Sequence, residues 1–366
     1  MINIKQLTQF LETIAPKQYQ ESYDNAGLLT GDPHWEVSGI LIALDSTEAV
    51  VDEAIAKNCN VIIAHHPIIF KGLKSLTGKN YIERTIIKAI KHDIAIYAIH
   101  TNLDNVHTGV NKRICDRLGL INTRILSPKT DLLSKLTTFI PEDQVTEVTQ
   151  ALYAAGAGQI GEYKNCSFSV SGEGTFLPTE GTHPHTGTVG QQAIEKERRV
   201  EVILPSHLSG KVLNALKKAH PYEEVAYYLQ TLENAYQEVG SGMIGELQEA
   251  MPTGEFLQHL KSSMQLSVIK HTSICNDKIK TVAVCGGAGI FLLGAAKSAQ
   301  ADIFITADVK YHEYFDADGQ LILADIGHYE SEVYTKDLLF EFLKKKFTNI
   351  ALYLTEVVTN PITYLT

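Results

Sequence analysis

Two adjacent histidines, His65 and His66, follow the apolar run 61–63 and precede Pro67. On a regular strand, neighbouring side chains point to opposite faces, so these two rings could not serve one site there. Proline cannot donate to a sheet ladder and restricts the residue before it, which predicts that the strand ends at the pair. At the carboxyl end of a strand both imidazoles could turn toward one crevice, where ligands bind in open α/β sheets. The alternative is a pair of half-exposed loop histidines.

Two other predicted strands also end in imidazole or carboxylate groups. The segment HTNLDNVH supplies His100 and Asp104, and the segment DIGHYESE supplies His328 and Glu332. His328 and Glu332 are four residues apart, so they share one face of a helix. Each pair also has a purely structural interpretation. Asp104 could form a turn or cap a helix, and His328 with Glu332 could be a surface pair.

The ends of parallel strands meet at one edge of a sheet, so these groups are predicted to converge. Three histidines and two carboxylates can hold two metal ions when the carboxylates bridge them. Such a site would lower the pKa of a shared water toward about 7 and provide hydroxide at neutral pH. We expect two divalent metal ions per subunit, with zinc ranked first and iron, manganese and cobalt as alternatives.

His100 and His312 are the candidate catalytic residues. His100 could orient a metal ligand or shuttle a proton. The segment TADVKYHE adds Asp308, Lys310 and His312 at a further strand end. These three residues could lie beside the metal site or the substrate, or they could belong to an ordinary polar loop. The segment CGGAG at 285–289 lacks the full spacing of a nucleotide-binding motif, which favours a tight turn over a phosphate cradle.

Strand and helix patterns alternate in the first part of the chain and again near its end. This alternation predicts right-handed crossovers and a mainly parallel α/β sheet, and we interpret the two parts as halves of a single sheet. Between them, two β-α-β units in tandem predict an inserted ferredoxin-like α+β domain. The predicted organisation is a discontinuous α/β metal-binding domain over 1–130 and 240–366, with the inserted domain over 131–239.

The amino-acid composition favours a globular protein and disfavours a nucleic-acid-binding or membrane-surface protein. The 366 residues are 44% hydrophobic and 20% charged, with a formal net charge of −10. This composition is typical of a globular protein long enough for two domains, and its charge disfavours binding to nucleic acid or to an anionic membrane. The five cysteines form no Cys-x-x-Cys pattern, and we find no signal peptide or membrane-length apolar run. These features predict reduced thiols and a cytoplasmic location.

Several motifs together resemble those of a dinuclear-metal protein family, the GTP cyclohydrolase I type 2 homologues or NGG-interacting-factor-three-like proteins. The similarity extends over nearly the whole chain and comprises ESYDNAGLLTGDP, AHHPIIF, HTNLD, CGGAG, ADIFITADVKYHE and DIGHYESE. Longer members of the family carry an inserted PII-like domain, and GEGTFLPTEGTHPHTG and HPYEEVAYYLQTLEN look like theirs.

The resemblance implies a ligand set and an assembly. The implied metal ligands are His65, His66, Asp104, His328 and Glu332, with Asp104 and Glu332 the better candidates to bridge. The implied assembly is a toroidal homohexamer whose sites face an internal cavity. Neither the ligand roles nor the assembly follow from periodicity or spacing alone.

Two functions are compatible with these features. The first is a metal-dependent hydrolase, which would open the imidazole ring of GTP with release of formate or would hydrolyse another nucleotide or phosphoester. The second is a non-enzymatic scaffold that buffers, delivers or senses transition metals, with the inserted domain reporting metal occupancy or binding a partner. The family label favours the first.

Overall fold

The chain forms two compact units in a computed structural model that describes residues 2–365. The first unit contains the chain up to Pro128 and from Glu238 onward, and the second contains Lys129–Gln237. The sequence-based limits of 131 and 239 each differ from these by two residues. The two units are described separately below.

Within residues 2–365, strands and α-helices are numbered in chain order. The strands are β1 (Gly27–Thr30), β2 (Gly39–Ala43), β3 (Val61–Ala64), β4 (Ala95–Ala98), β5 (Ile121–Lys129), β6 (Leu133–Pro141), β7 (Phe168–Phe176), β8 (Ala193–Pro205), β9 (Tyr227–Leu232), β10 (Tyr236–Pro252), β11 (Lys270–His271), β12 (Lys278–Val284), β13 (Ile303–Thr306), β14 (Ile322–Asp325) and β15 (Ala351–Leu354). The helices are α1 (Ile4–Ile14), α2 (Glu48–Ala56), α3 (Tyr81–Lys91), α4 (Thr101–Asp104), α5 (Val110–Leu118), α6 (Val145–Ala155), α7 (Ser209–Ala219), α8 (Thr253–Ser263), α9 (Leu293–Ser298), α10 (His328–Glu332) and α11 (Thr335–Lys346).

The first sheet of the larger unit has the strand order β1-β4-β3-β2-β15. The pairs β4-β3, β3-β2 and β2-β15 are parallel, and β1 runs antiparallel to β4 at the edge. Strands β2, β3 and β4 are buried along their whole length, as expected for parallel strands covered on both faces. On one face, Val50 of α2 and Ile86 of α3 join Leu41 and Ile62 in a hydrophobic cluster.

The second sheet has the order β11-β14-β13-β12-β10-β5. The pairs β12-β13 and β13-β14 are parallel, whereas β10 and β11 run antiparallel to β12 and β14. Helices α5 and α8 contribute Ile114, Phe256 and Leu260 to the hydrophobic cluster that includes Val282 and Ile303 of this sheet. The interpretation of the flanking segments as one sheet is therefore wrong, because they form two sheets, and both contain antiparallel as well as parallel pairs.

The smaller unit has the element order β6-α6-β7-β8-α7-β9 and the sheet order β7-β8-β6-β9. All three strand pairs are antiparallel. Val148 and Leu152 of α6 and Leu216 of α7 pack against Leu136 and Val202 of the sheet. This unit therefore has a hydrophobic core of its own.

Local sequence signals explain where several helices of the larger unit begin and end. The side chains of Thr47 and Asn80 accept hydrogen bonds from the first turns of α2 and α3, which satisfies backbone donors that lack a helical partner. Helix α5 ends at Gly119, whose φ of 70° is left-handed and favours glycine. No α-helix among residues 2–365 is both long and apolar enough to cross a lipid bilayer.

We expect the larger unit to fold without the smaller one. A Cβ added at Gly240 would lie 2.7 Å from the Cα atom of Pro128, so the two chain segments that flank residues 129–237 run side by side. A linker of a few glycine and serine residues in place of 129–237 can therefore join them with little strain. Circular dichroism should show one cooperative thermal transition for this shortened protein. A non-cooperative, aggregating product would contradict the independence of the larger unit.

Candidate metal centre

His65 and His66 lie directly after β3, and their rings point to one crevice of the larger unit. The two ring centroids are 4.9 Å apart. His65 is fully buried and its Nδ1–H donates to the carbonyl oxygen of Ile99 at 2.8 Å, which leaves Nε2 free to accept. The strand ends at Ala64, as the position of Pro67 predicts. The end of the regular strand is what allows two neighbouring side chains to share one site.

Two carboxylates lie beside these imidazoles. Asp104 ends helix α4, and its Oδ1 lies 3.5 Å from Nε2 of His65. Glu332 ends helix α10 and is 3% exposed. Its Oε2 lies 2.8 Å from Nε2 of His66 and 3.1 Å from Nε2 of His328, and its Oε1 lies 3.9 Å from Nε2 of His65. Helix α10 therefore places His328 and Glu332 on the same face, as their spacing predicts.

These side chains form three overlapping groups that could each hold a metal ion. In every group the potential ligand atoms lie within 4.8 Å of one another. The groups are His65 with His66 and His100, His66 with His328 and Glu332, and His65 with Asp104 and Glu332. The structure therefore brings together the five residues of the implied ligand set, together with His100.

Two buried atoms test whether a metal ion fits. Nε2 of His65 and Oδ1 of Asp104 are both buried, and neither has a hydrogen-bond partner within residues 2–365. A buried polar atom without a hydrogen-bond partner costs folding free energy, and such atoms are rare in native structures. A neutral imidazole nitrogen facing a carboxylate oxygen is a donor set for a divalent transition metal. The residues present fit a metal ion at this position.

Carboxylates outside the cluster orient three of the imidazoles. Nδ1 of His66 lies 2.7 Å from Asp45, Nδ1 of His328 lies 2.7 Å from Asp308, and Nδ1 of His100 lies 2.8 Å from Asp24. Partners of this kind are typical of metal-binding histidines, because they fix the ring and leave Nε2 for the ion.

Of these three aspartates, Asp308 is predicted from the sequence as a candidate partner, and Asp45 is missed. Asp45 follows β2, so the same rule of strand ends would have found it. Asp24, which lies in the motif ESYDNAGLLTGDP, bonds His100 and the backbone of Thr101.

Burial and mutual charge shift the pKa values of the cluster strongly. Burial lowers the pKa of His65 to about 3, which keeps its imidazole neutral. Burial alone would lower the pKa of His66, but hydrogen bonds to Asp45 and Glu332 raise it to about 10. Burial would also lower the pKa of His328, but its hydrogen bond to Glu332 outweighs burial and raises the pKa to about 9. In the metal-free protein, protons therefore occupy the nitrogens of His66 and His328 that a metal ion would bind. Metal binding must displace these protons, since metals bind deprotonated imidazole.

The cluster is assembled from both sheets of the larger unit. His65, His66 and His100 follow β3 and β4 of the first sheet, and His328 follows β14 of the second. The prediction that the three strand ends share one sheet edge is therefore wrong. Asp104 lies beyond the end of β4, on the short helix α4.

The two candidate catalytic histidines lie in different environments. His100 lines the cavity at the cluster, and its ring centroid is 5.3 Å from that of His65. His312 lies on an exposed helical turn at Tyr311–Ala317, where its ring contacts Tyr311 and Phe315. Within residues 2–365, it is not among the residues that line this cavity. The structure brings His100 to the metal ligands and does not bring His312 there.

A cavity of about 640 Å³ opens onto the cluster. Its polar wall includes Asp104 and Glu332, and its apolar wall includes the aromatic rings of Tyr23, Phe70 and Phe291. No lysine or arginine of the described chain lines it. The cavity is large enough for a drug-sized ligand, and its walls offer planar apolar surfaces.

Comparison with known proteins decides the family. A family model described as Duf34/NIF3 (NGG1p interacting factor 3) matches residues 2–361. The chain belongs to this family. A Bacillus subtilis relative, named GTP cyclohydrolase 1 type 2 homolog, is 38% identical over 370 residues, which cover 100% of this chain and 99% of the relative. These matches confirm the resemblance that the motifs indicated.

Solved structures of DUF34/NIF3 relatives have the same mixed α/β fold with several sheets. The crystal structure of a Bacillus cereus protein related to NIF3 matches with a TM-score of 0.88 at 40% identity, covering 100% of this chain and 99% of that one. The crystal structure of a Staphylococcus aureus protein matches with a TM-score of 0.78 at 32% identity, with the same coverage.

The CGGAG turn of this family member packs directly against the cluster. Gly287 has a left-handed φ of 62°, and a Cβ there would lie 2.4 Å from Oε1 of Glu332. The amide of Gly287 donates to the hydroxyl of Ser331 at 2.9 Å. The turn therefore supports the Glu332 carboxylate. The neighbouring thiol of Cys285 is buried, and burial raises its pKa.

Replacing Gly287 by alanine should weaken metal binding about tenfold or more, because the new Cβ displaces the Glu332 carboxylate. The left-handed backbone alone costs an alanine about 1–2 kcal/mol. Gly119→Ala is the matched control, since Gly119 has a φ of 70° but its Cβ would meet nothing within 4 Å. Zinc titration with a competing chelator measures both variants. Equal zinc affinities for the two variants would contradict this role of Gly287.

Proposed function

We propose that the cluster binds two divalent metal ions and that the protein is a metal-dependent hydrolase. The observation that carries this proposal is the convergence of four imidazoles and two carboxylates, all but His65 lining one cavity, with Nε2 of His65 and Oδ1 of Asp104 buried and without hydrogen-bond partners within residues 2–365. The residues that would hold the ions are His65, His66, Asp104, His328 and Glu332, with Asp104 and Glu332 the better candidates to bridge. Zinc is the first candidate and iron, manganese and cobalt are the alternatives.

Two bound ions would supply positive charge that polarises a substrate bond and acidifies a water molecule. The residues of the chain then have distinct tasks. The hydrogen bond from Nδ1–H of His65 to Ile99 leaves Nε2 of His65 unprotonated and able to bind an ion. Asp45 fixes the ring of His66, and Asp308 fixes the ring of His328.

His100 is the proposed proton carrier. Burial raises the pKa of Asp24, but hydrogen bonds from His100 and Thr101 outweigh burial and lower it to about 2, so the carboxylate is ionised. An ionised Asp24 accepts from Nδ1–H of His100, which leaves Nε2 of His100 to accept a proton in the cavity. A role for His312 in catalysis is not part of this proposal, because its ring lies on an exposed turn.

The proposed substrate is GTP or another nucleotide or phosphoester. The name of the Bacillus subtilis relative supports a GTP cyclohydrolase-like reaction, and the rings of Tyr23, Phe70 and Phe291 offer surfaces on which a base can stack. The cavity lining within residues 2–365 offers phosphate groups no lysine or arginine. We therefore expect nucleotide affinity to depend on bound metal.

A turnover screen tests the proposed function. Protein loaded with two equivalents of zinc, iron, manganese or cobalt is incubated with GTP, other nucleotides and a model phosphoester, and products are identified by mass spectrometry. Steady turnover by the loaded protein, and its loss in Asp104→Ala, supports a hydrolase. Full metal occupancy without turnover across the panel would favour the non-enzymatic scaffold. The separate unit Lys129–Gln237, with its own core, is the observation that favours a scaffold with a reporting domain.

We further propose that Lys129–Gln237 is a ferredoxin-like, PII-like regulatory domain, that the protein is cytoplasmic and that it assembles as a toroidal homohexamer. The order β-α-β-β-α-β supports the first point. Free thiols at all five cysteines support the second. The hexamer rests on the family resemblance. Light scattering should give six times the chain mass of 40.4 kDa, and a monomeric mass would contradict the hexamer.

A further inference from the structure

A second cavity lies within the unit Lys129–Gln237, and its volume is about 610 Å³. Helices α6 and α7 pack on one face of the sheet, against residues such as Val200. Side chains alternate between the two faces along a strand. Glu197 and Arg199 of β8 and Phe139 of β6 therefore project to the opposite face, where they line the cavity.

Two glycines of β7 leave this face open. Gly172 pairs with Glu197, and Gly174 pairs with Glu195, across the ladder between β7 and β8. A Cβ at Gly172 would meet nothing within 4 Å, so it would project into the open cavity. A Cβ at Gly174 would lie 2.2 Å from Oε2 of Glu197, so the carboxylate lies against the strand only because glycine is there. The GEG motif therefore creates both the space and the position of Glu197.

Glu197 is a buried carboxylate without a cation. It is 8% exposed, and its Oε1 accepts a hydrogen bond from the hydroxyl of Tyr222 at 3.0 Å. Within residues 2–365 it forms no ion pair, and the neighbouring Arg199 instead bonds Glu201 at 2.6 Å. A buried charge of this kind is costly unless a counter-charge compensates it.

The nearby His220 does not supply that counter-charge. Its Nε2–H donates to the carbonyl oxygen of Phe139 at 2.8 Å, and its Nδ1 accepts from the amide of Tyr222 at 3.1 Å. One nitrogen donates and the other accepts, which is the pattern of a neutral imidazole. Burial also lowers the pKa of His220. The position opposite Glu197 therefore lacks a cation from the unit itself.

The remaining walls of the cavity combine aromatic rings with further carboxylates. The rings of Phe176 and His185 each lie 6.1 Å from that of Tyr222, centroid to centroid. The lining residues include three further polar groups beside Glu197, those of Glu223, Glu224 and Arg199. Aromatic faces and carboxylates both attract cations, and the rings also attract an apolar body.

We propose that this cavity binds a small organic cation. Its ammonium or guanidinium group would bond Glu197, and its aromatic or aliphatic body would pack against Phe176 and Tyr222. The site is independent of the metal cluster, since every residue that carries the argument lies within Lys129–Gln237.

Binding of benzylammonium to the full-length protein tests this proposal, with benzyl alcohol and benzoate as neutral and anionic counterparts. Ligand-observed NMR titration should give an affinity order of benzylammonium, then benzyl alcohol, then benzoate. Glu197→Gln should weaken benzylammonium binding about tenfold, because a charge-assisted hydrogen bond is lost, and should leave benzyl alcohol binding unchanged. Zinc-loaded and zinc-free protein should give the same result.

Two further variants complete the test. Glu195→Gln removes a carboxylate from the same strand that does not line the cavity, so benzylammonium affinity should change less than about twofold. Gly172→Phe fills the cavity without a Cβ clash and should abolish binding of both probes. Thermal unfolding verifies that each variant is folded. The proposal is overturned if benzylammonium does not bind, binds no tighter than benzyl alcohol, or binds Glu197→Gln as well as the parent protein.

Discussion

Replacement of Glu332 by glutamine is expected to lower the affinity for zinc roughly 100-fold or more. The Glu332 carboxylate lies within 4 Å of three imidazole nitrogens, those of His65, His66 and His328. An amide of the same shape is neutral and offers one oxygen instead of two, so it is a much weaker ligand for a divalent cation than the carboxylate. Elemental analysis and chelator competition measure the loss.

Glu330→Gln is the matched control for this variant. Glu330 lies on the same helix α10, but its carboxylate accepts from Asn360 at 2.9 Å. Zinc content and affinity should therefore stay at the parent level in this variant. Both variants should remain folded, because the cluster lies at strand ends outside the hydrophobic cores. Full zinc occupancy in Glu332→Gln would remove Glu332 from the ligands.

The second large effect is expected at His100. His100→Ala should lower turnover by about 10²- to 10⁴-fold, the usual contribution of a proton-transferring side chain. The metal content should stay near the parent value, because the five proposed ligands remain. Asp24→Asn should give a smaller loss of turnover, since the imidazole persists but its ring and tautomer are no longer fixed.

Two results would reassign His100. Loss of one equivalent of metal in His100→Ala would make it a ligand of the group that contains His65 and His66. Unchanged metal content with unchanged turnover would show that no proton passes through it. Because metal content and turnover are measured on the same sample, these results are distinguishable from each other and from misfolding.

Sequence reasoning predicted that these side chains converge because strand ends carry strong local signals. Pro67 ends the strand before His65 and His66, and the spacing of His328 and Glu332 fixes their shared helix face. The grouping of strands into sheets has no such signal. Strand β15 pairs with β2 across more than 300 residues of chain, and nothing local states which sheet a buried parallel strand will join. The single-sheet interpretation failed for this reason.

His312 shows that a position soon after a strand end is not enough to predict that a side chain joins the site. Asp308 has a left-handed φ of 55°, so the chain turns sharply after β13. The turn brings the Asp308 carboxylate to His328, and the chain then continues into the exposed turn that carries His312. Two residues four apart in one motif thus have different surroundings because of one backbone angle. That angle is not evident from residue types alone.

Anomalous X-ray diffraction from crystals of zinc-loaded protein tests the central claim most directly. Two peaks at the zinc edge are expected in the larger unit, one beside His65 and Asp104 and one beside His66 and His328, with Glu332 between them. A third, weaker peak elsewhere in the map would not affect this conclusion. Absence of any peak at these five side chains, in crystals that contain zinc, would contradict the account.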